Sequence, residues 1–157
     1  MEEKIKEQFI AKFPALADKF VVRRARRIFI DVNSDNFEDV FAFVVHTLKA
    51  NILCTITGLD EGSTFGIMYH MATIEGIMIN IRTHTPRDNP EIKSISGQFP
   101  GADSYERELV DLLGIKVSGL QSGNRYPLPD NWPACQYPLR KDWKGIDGEI
   151  LAEVKDA

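Results

Sequence analysis

Cysteine is scarce in this chain, and long apolar runs are missing altogether. Only Cys54 and Cys135 occur among 157 residues. A structural zinc site wants four ligands and an iron–sulfur cluster usually four thiolates, so neither is expected here. No catalytic residue and no metal ligand are assigned. The two cysteines lie far apart, in a chain that starts without a basic, apolar signal segment. A reducing, cytoplasmic setting is therefore expected, without a disulfide. No run approaches the roughly 20 apolar residues that span a bilayer, so any membrane link must pass through partners. Positive charge is in deficit too: 19 Lys and Arg against 23 Asp and Glu give a net charge of -4, which disfavours nucleic acid. No internal repeat is visible.

What is present reads as a soluble domain, 43% hydrophobic and 27% charged, long enough to bury one core. Ile5, Phe9, Phe13 and Leu16 share a face at helical spacing, predicting an amphipathic helix over 4–18 whose end Pro14 blurs. From Phe20 to Val32 the pattern is that of two strands, with Arg23, Arg24, Arg26 and Arg27 clustered as a basic turn. Contact with a partner or an anionic headgroup, and nucleic-acid binding, are the functional alternatives for that cluster. Asp35 and Glu38 read as a capping pair opening a helix with Phe37, Val40, Phe41, Val44 and Leu48 on one face. Three β-prone segments follow, 52–59, 65–74 and 77–83, with a tight turn at Glu75-Gly76. Ile77, Ile79 and Ile81 alternate with Met78, Asn80 and Arg82, as on a sheet with one packed face. The fold class expected is α+β, an antiparallel or mixed sheet with helices on one face. His46, His70 and His84 share no ligand spacing and are read as packing or surface residues, and Asp60-Glu61-Gly62 as turn chemistry.

Three parts are expected: an α+β domain over 1–85, a linker and charged helix over 86–117, and an extended partner-binding arm and tail over 118–157. In the second part, Asp103 and Glu106 read as another capping pair and Gly114 as the helix stop. Tyr105, Leu109, Leu112 and Leu113 form its apolar stripe, leaving Glu106, Arg107, Glu108 and Asp111 on other faces or at the edges. Glu106 and Glu108 point apart, whereas Glu108 and Asp111, three residues apart, face each other. A solvated face, salt bridges to a partner and acid–base catalysis are all open to such carboxylates. A short strand is expected over 115–117. In the arm, Pro127, Pro129, Pro133 and Pro138 forbid a long helix or a central strand. Yet Tyr126, Leu128, Trp132, Tyr137, Leu139 and Trp143 alternate with charges, unlike a disordered tail. An arm that cannot fold on itself but keeps large side chains is expected to cover a partner.

Glu106-Arg107-Glu108, Asp111-Leu112-Leu113-Gly114 and, some way on, Pro138-Leu139-Arg140-Lys141-Asp142 resemble the 30 kDa subunit family of respiratory complex I. That family includes the equivalent subunit of membrane-bound energy-converting nickel–iron hydrogenases. The resemblance is specific over 99–143 and consistent in pattern over 1–98. Many complex I members have Trp before the helix and a Gly-His-Pro turn after it; here Ser104-Tyr105 and Gly119-Leu120 stand there, and Arg125 replaces a pair of arginines. Leu128 to Pro133 is more similar to the hydrogenase version. The resemblance implies a cofactor-free, hydrophilic assembly subunit, peripheral on the cytoplasmic face of the membrane. It would dock on the large subunit that houses a nickel–iron centre or quinone site, beside a small iron–sulfur subunit, with NADH or another donor oxidised elsewhere. Glu106, Arg107, Glu108, Asp111, Arg125, Trp132, Leu139, Arg140, Lys141 and Asp142 are then the expected partner-binding residues.

Overall fold

The computed structural model describes residues 1–146, which form two compact units. One comprises Met1–Thr57 and Gly66–Thr85, the other Gly58–Phe65 and the described residues from Pro86 onward. These units divide the chain differently from the three parts expected from sequence. The tip of one strand pair belongs with the C-terminal part, and the charged helix and arm form one unit rather than two, because their polar groups bond one another. The tail beyond 146, assigned with the arm, lies outside the described residues.

In the first unit, α1 (Glu2–Lys12) stops before Pro14, and Pro14–Lys19 continues as a separate 3-10 turn. The single helix expected over 4–18 is thus two pieces, since a proline ring clashes with the preceding turn. Strands β1 (Phe20–Arg24) and β2 (Arg27–Asp31) flank the arginine turn, where Arg26 has φ +59°. Helix α2 (Ser34–His46) is capped by Asn33, whose carbonyl accepts from the Asn36 amide. Asp35 and Glu38 are therefore not its capping pair; Asp35 sits in the first turn, where the helix dipole favours negative charge.

Strands β3 (Ile52–Asp60), β4 (Thr64–Ala72) and β5 (Met78–Pro86) complete a sheet of order β1-β2-β5-β4-β3. β1 and β2 are antiparallel, β2 and β5 parallel, so the sheet is mixed. The β2–β5 register sets Ile28 beside Ile79 and Ile30 beside Ile81, all fully buried, as are Ile67, Tyr69 and Met71 of β4. Helix α2 sets Phe37 and Phe41 against Tyr69, with ring centroids 4.7 and 5.7 Å away. Helix α1 sets Phe9 against Phe20 and Phe43, at 5.1 and 6.3 Å. Asn80, expected on the outward side, is buried nonetheless: it accepts from His70 Nδ1 at 2.7 Å and donates to the Ile28 carbonyl at 2.8 Å.

The second unit holds the β3–β4 turn, β6 (Glu91–Lys93), α3 (Ala102–Leu113) and β7 (Lys116–Ser118). β6 and β7 pair in parallel. The segment 86–100, expected to be a linker, therefore contributes a strand, and its Ile95 is buried.

Candidate functional site

Helix α3 is entered through Gly101, and the Ala102 amide closes on the Phe99 carbonyl just before it. This entry leaves Asp103 inside the helix, where it is no cap. Its two carboxylate oxygens instead take Nε and an Nη of Arg107, at 2.7 and 3.1 Å. The guanidinium also donates to the carbonyls of Gln121 and Asn124, at 2.8 and 3.3 Å, gathering the first loop of the arm around itself. With its charge satisfied this way, Arg107 stays protonated above its ordinary range.

Glu106 is fully buried, on a helix face that continues through Ala102, Leu109 and Leu113. Its carboxylate accepts from Ser94 Oγ at 2.6 Å and from the Ile95 amide at 2.7 Å. Burial raises its pKa above the ordinary glutamate value, against the pull of both bonds. Glu106 is thus an interior tie to the segment before the helix, which corrects its placement off the apolar stripe; Leu112 and Tyr105, placed on that stripe, are both only half-buried.

Asp111 is also buried, accepting from Arg125 Nε at 3.2 Å and from the Leu128 amide at 3.3 Å. Arg125 passes the connection on to the Trp132 carbonyl at 2.7 Å, and the Trp132 indole donates to the Gln136 carbonyl at 2.9 Å. Trp143 closes the series by donating to the Gln136 side chain at 2.9 Å. Asp111 is thus committed to Arg125 and the Leu128 amide rather than left as a free carboxylate. Glu108 is half-buried, and its carboxylate makes no hydrogen bond or ion pair among the described residues.

The Pro138-Leu139-Arg140 segment caps the far end of α3. Gly114 ends the helix at φ +69°, and the last carbonyls need donors from elsewhere. The Leu139 amide serves Leu112 at 3.1 Å, and Arg140 Nε serves Leu113 at 2.7 Å. The guanidinium lies 4.4 Å from the Tyr137 ring centroid and 5.1 Å from that of Phe65, a cation at the negative helix terminus held on two aromatic faces. A Cβ at Gly114 would come within 2.5 Å of the Tyr137 ring, so only glycine admits this packing.

Beyond Arg140 the arm meets the β3–β4 turn. Asp60, its side chain only 2% exposed, accepts from Arg87 at 2.7 Å, from the Lys141 amide at 2.8 Å and from the Gly62 amide at 2.9 Å. The Arg87 guanidinium, with help from the two amides, holds the Asp60 carboxyl down at about 2. Arg87 bridges on to Asp142 at 2.6 Å. Sequence reasoning missed Asp60 and Arg87. Asp60 does serve its own turn, as an Asp before Gly often does, but nothing local in the chain signals that a residue 81 positions later uses its second oxygen.

The expected site residues therefore come together in one unit, but most of their polar groups face inward. Arg107, Asp111, Arg125 and Arg140 fasten an arm expected to be unable to order itself. Groups left exposed are Lys141, the Asp142 carboxylate, 69% exposed, the Leu139 side chain, 56% exposed, and the Tyr126 ring, 47% exposed, with Glu108 half-buried. No cluster of three or more His, Cys, Asp or Glu suited to a metal occurs among the described residues, and both cysteines are exposed, with no disulfide between them.

Known proteins share this sequence pattern and this fold. The sequence pattern of the family described as respiratory-chain NADH dehydrogenase, 30 kDa subunit, matches residues 30–148. One subunit of the F(420)H(2) dehydrogenase of Methanosarcina mazei is 29% identical over 143 residues, which cover 89% of this chain and 90% of that protein. The beta subunit of the membrane-bound hydrogenase of Pyrococcus furiosus is 27% identical over 129 residues, covering 80% and 75%. Among solved structures, one polypeptide of the membrane-bound sulfane sulfur reductase, an archaeal respiratory membrane complex, superposes with a TM-score of 0.79. Its identity is 25%, and the match covers 99% of this chain and 89% of that one.

Proposed function

Because the chain belongs to the 30 kDa subunit family of the respiratory-chain NADH dehydrogenase, we propose that it is a cofactor-free assembly subunit of a membrane-bound, energy-converting hydrogenase-type complex. In this reading it docks on the large subunit that carries the nickel–iron or quinone site, next to a small iron–sulfur subunit, and supports electron transfer coupled to ion translocation. It sits peripherally on the cytoplasmic face, reaching the membrane only through those partners. The observation that carries the reading is the arm, stapled onto α3 by Arg107, Asp111, Arg125 and Arg140, so that Leu139 and Lys141 are held outward on an ordered support. Preorganised apolar and charged groups of this kind suit a permanent neighbour, since little ordering cost remains at docking. The inward charges act one step back, fixing where the outward ones stand.

The corresponding subunit of a complex I, with NADH or a related donor reducing quinone elsewhere, is the second reading; the family description favours it. Isolation of the tagged full chain from native membranes tests both. Recovery of a large subunit with four cysteines placed for nickel–iron supports the hydrogenase reading, and one without them supports complex I. A tagged chain that recovers neither sinks the proposal.

A further inference from the structure

The sheet of the first unit has a second face, turned away from α1 and α2, and it carries a groove of about 850 Å³. Val21, Phe29 and Met68 form its apolar floor; Val21 is 38% exposed and the other two are half-buried. Arg23, Arg24 and Arg27 stand over this floor, and none of their guanidiniums has an ion pair or hydrogen bond among the described residues. The β1–β2 register even sets Arg24 directly opposite Arg27. Like charges facing each other across strands are destabilising, and no ion pair among the described residues offsets this one. The remaining charged lining is nearly balanced, with Lys19 on Asp18 at 3.1 Å and Arg82 near Asp31 at 3.9 Å. Five cations against two carboxylates leave the groove at about +3, in a chain whose net charge is -4.

We infer that this groove docks a carboxylate-bearing segment of a neighbouring subunit, one with apolar side chains between its acidic residues. The apolar floor takes the apolar residues, and the three unpaired guanidiniums take the carboxylates, for which their planar forks are suited. Its concave shape suits an inserted segment better than a lipid surface, and Asp18 and Asp31 on its lining would repel a continuous anionic sheet. Nucleic acid wants a wider basic footprint and tolerates the apolar floor poorly. The inference presupposes that the chain works in an assembly, but it is independent of the arm and of α3.

Arginine modification with phenylglyoxal tests it, applied to the free full chain and to the complex isolated through a tag. Arg23, Arg24 and Arg27 should react at least about tenfold more slowly in the complex, the loss of access expected for buried, paired guanidiniums. An Arg27→Lys chain in the same complex should be coupled by carbodiimide to an Asp or Glu of another subunit. Phosphatidylglycerol vesicles should not bind the free chain. Equal reactivity in both states, with no cross-link, overturns the docking site while leaving the arm reading intact. Vesicle binding that disappears in Arg23→Ser/Arg24→Ser/Arg27→Ser reassigns the patch to a membrane. A tagged chain that recovers no partner subunit removes both this inference and the proposed function.

Discussion

A carboxylate in a protein interior usually marks either function or a tie that no shorter side chain can make, and at Glu106 the bonds identify the tie. It holds Ser94 and the Ile95 amide from the middle of α3, with burial raising its pKa. The sign of the pH dependence follows from that direction. A glutamate whose folded value exceeds its unfolded one favours folding while protonated, and loses that contribution as pH rises from about 4.5 through the raised value. Glu106→Gln keeps the acceptor for the Ile95 amide and should flatten this limb of the stability curve, with little loss at neutral pH. Glu106→Ala leaves that amide without an acceptor and opens a void, costing about 2 to 4 kcal/mol. Thermal melts of the three chains across the acidic range check both outcomes; an unchanged pH profile in the Gln variant would exclude Glu106 as its source. The spacing Ala102, Glu106, Leu109, Leu113 is visible in the sequence and puts Glu106 on the buried line. A Glu three positions after an Asp also matches a capping pair, and that local reading obscures the long-range bonds.

At the scale of elements, the arm and the helix end stabilise each other. Arg140 supplies the donor that the Leu113 carbonyl lacks and stacks on Tyr137 and Phe65. A helix-terminal bond to a charged group together with stacking is worth about 2 to 3 kcal/mol. Arg140→Ala should therefore raise the open population of the arm roughly 30- to 150-fold, read as faster tryptic cleavage after Lys141 and Lys144 in the free chain. Arg140→Lys should rescue little, because an ammonium cannot both stack and donate in plane. Cleavage rates equal to wild type would show that the arm is held by its other ties. Alternation and β-prone composition between glycines point to every strand of the five-stranded sheet, and helical periodicity to the course of α2 and α3. They do not reveal β6 or the fastening of the arm. A three-residue strand has too few positions for a period, and ties such as Lys141 to Asp60 depend on which distant groups the fold brings together. The proline-rich composition correctly excludes helix and central strand, but absence of regular structure is not absence of order.

For the whole molecule, the decisive quantities are charge and where apolar surface is placed. The net charge is -4, and no helix among the described residues is long and apolar enough to cross a membrane. Apart from Met1 and Ile74, the large exposed apolar side chains are Val21, in the groove of the sheet, and Ile52, Leu59, Tyr126 and Leu139. On the proposed reading, a chain of this kind joins a membrane complex through contacts with other polypeptides, and the outward groups offered for that are a leucine among charges on the arm and unpaired arginines on the sheet. Contacts between charged groups weaken as salt shortens the Debye length to a few ångströms, and high pH removes the charge of Lys141 while leaving the arginines to the salt. Washing native membranes with alkaline carbonate in high salt should therefore release the chain into the supernatant without detergent, while subunits with spanning helices stay in the pellet. Immunoblotting both fractions checks this. A chain that stays sedimented until detergent dissolves the bilayer would mean that its hold on the membrane is apolar and direct, and the peripheral placement would have to be given up.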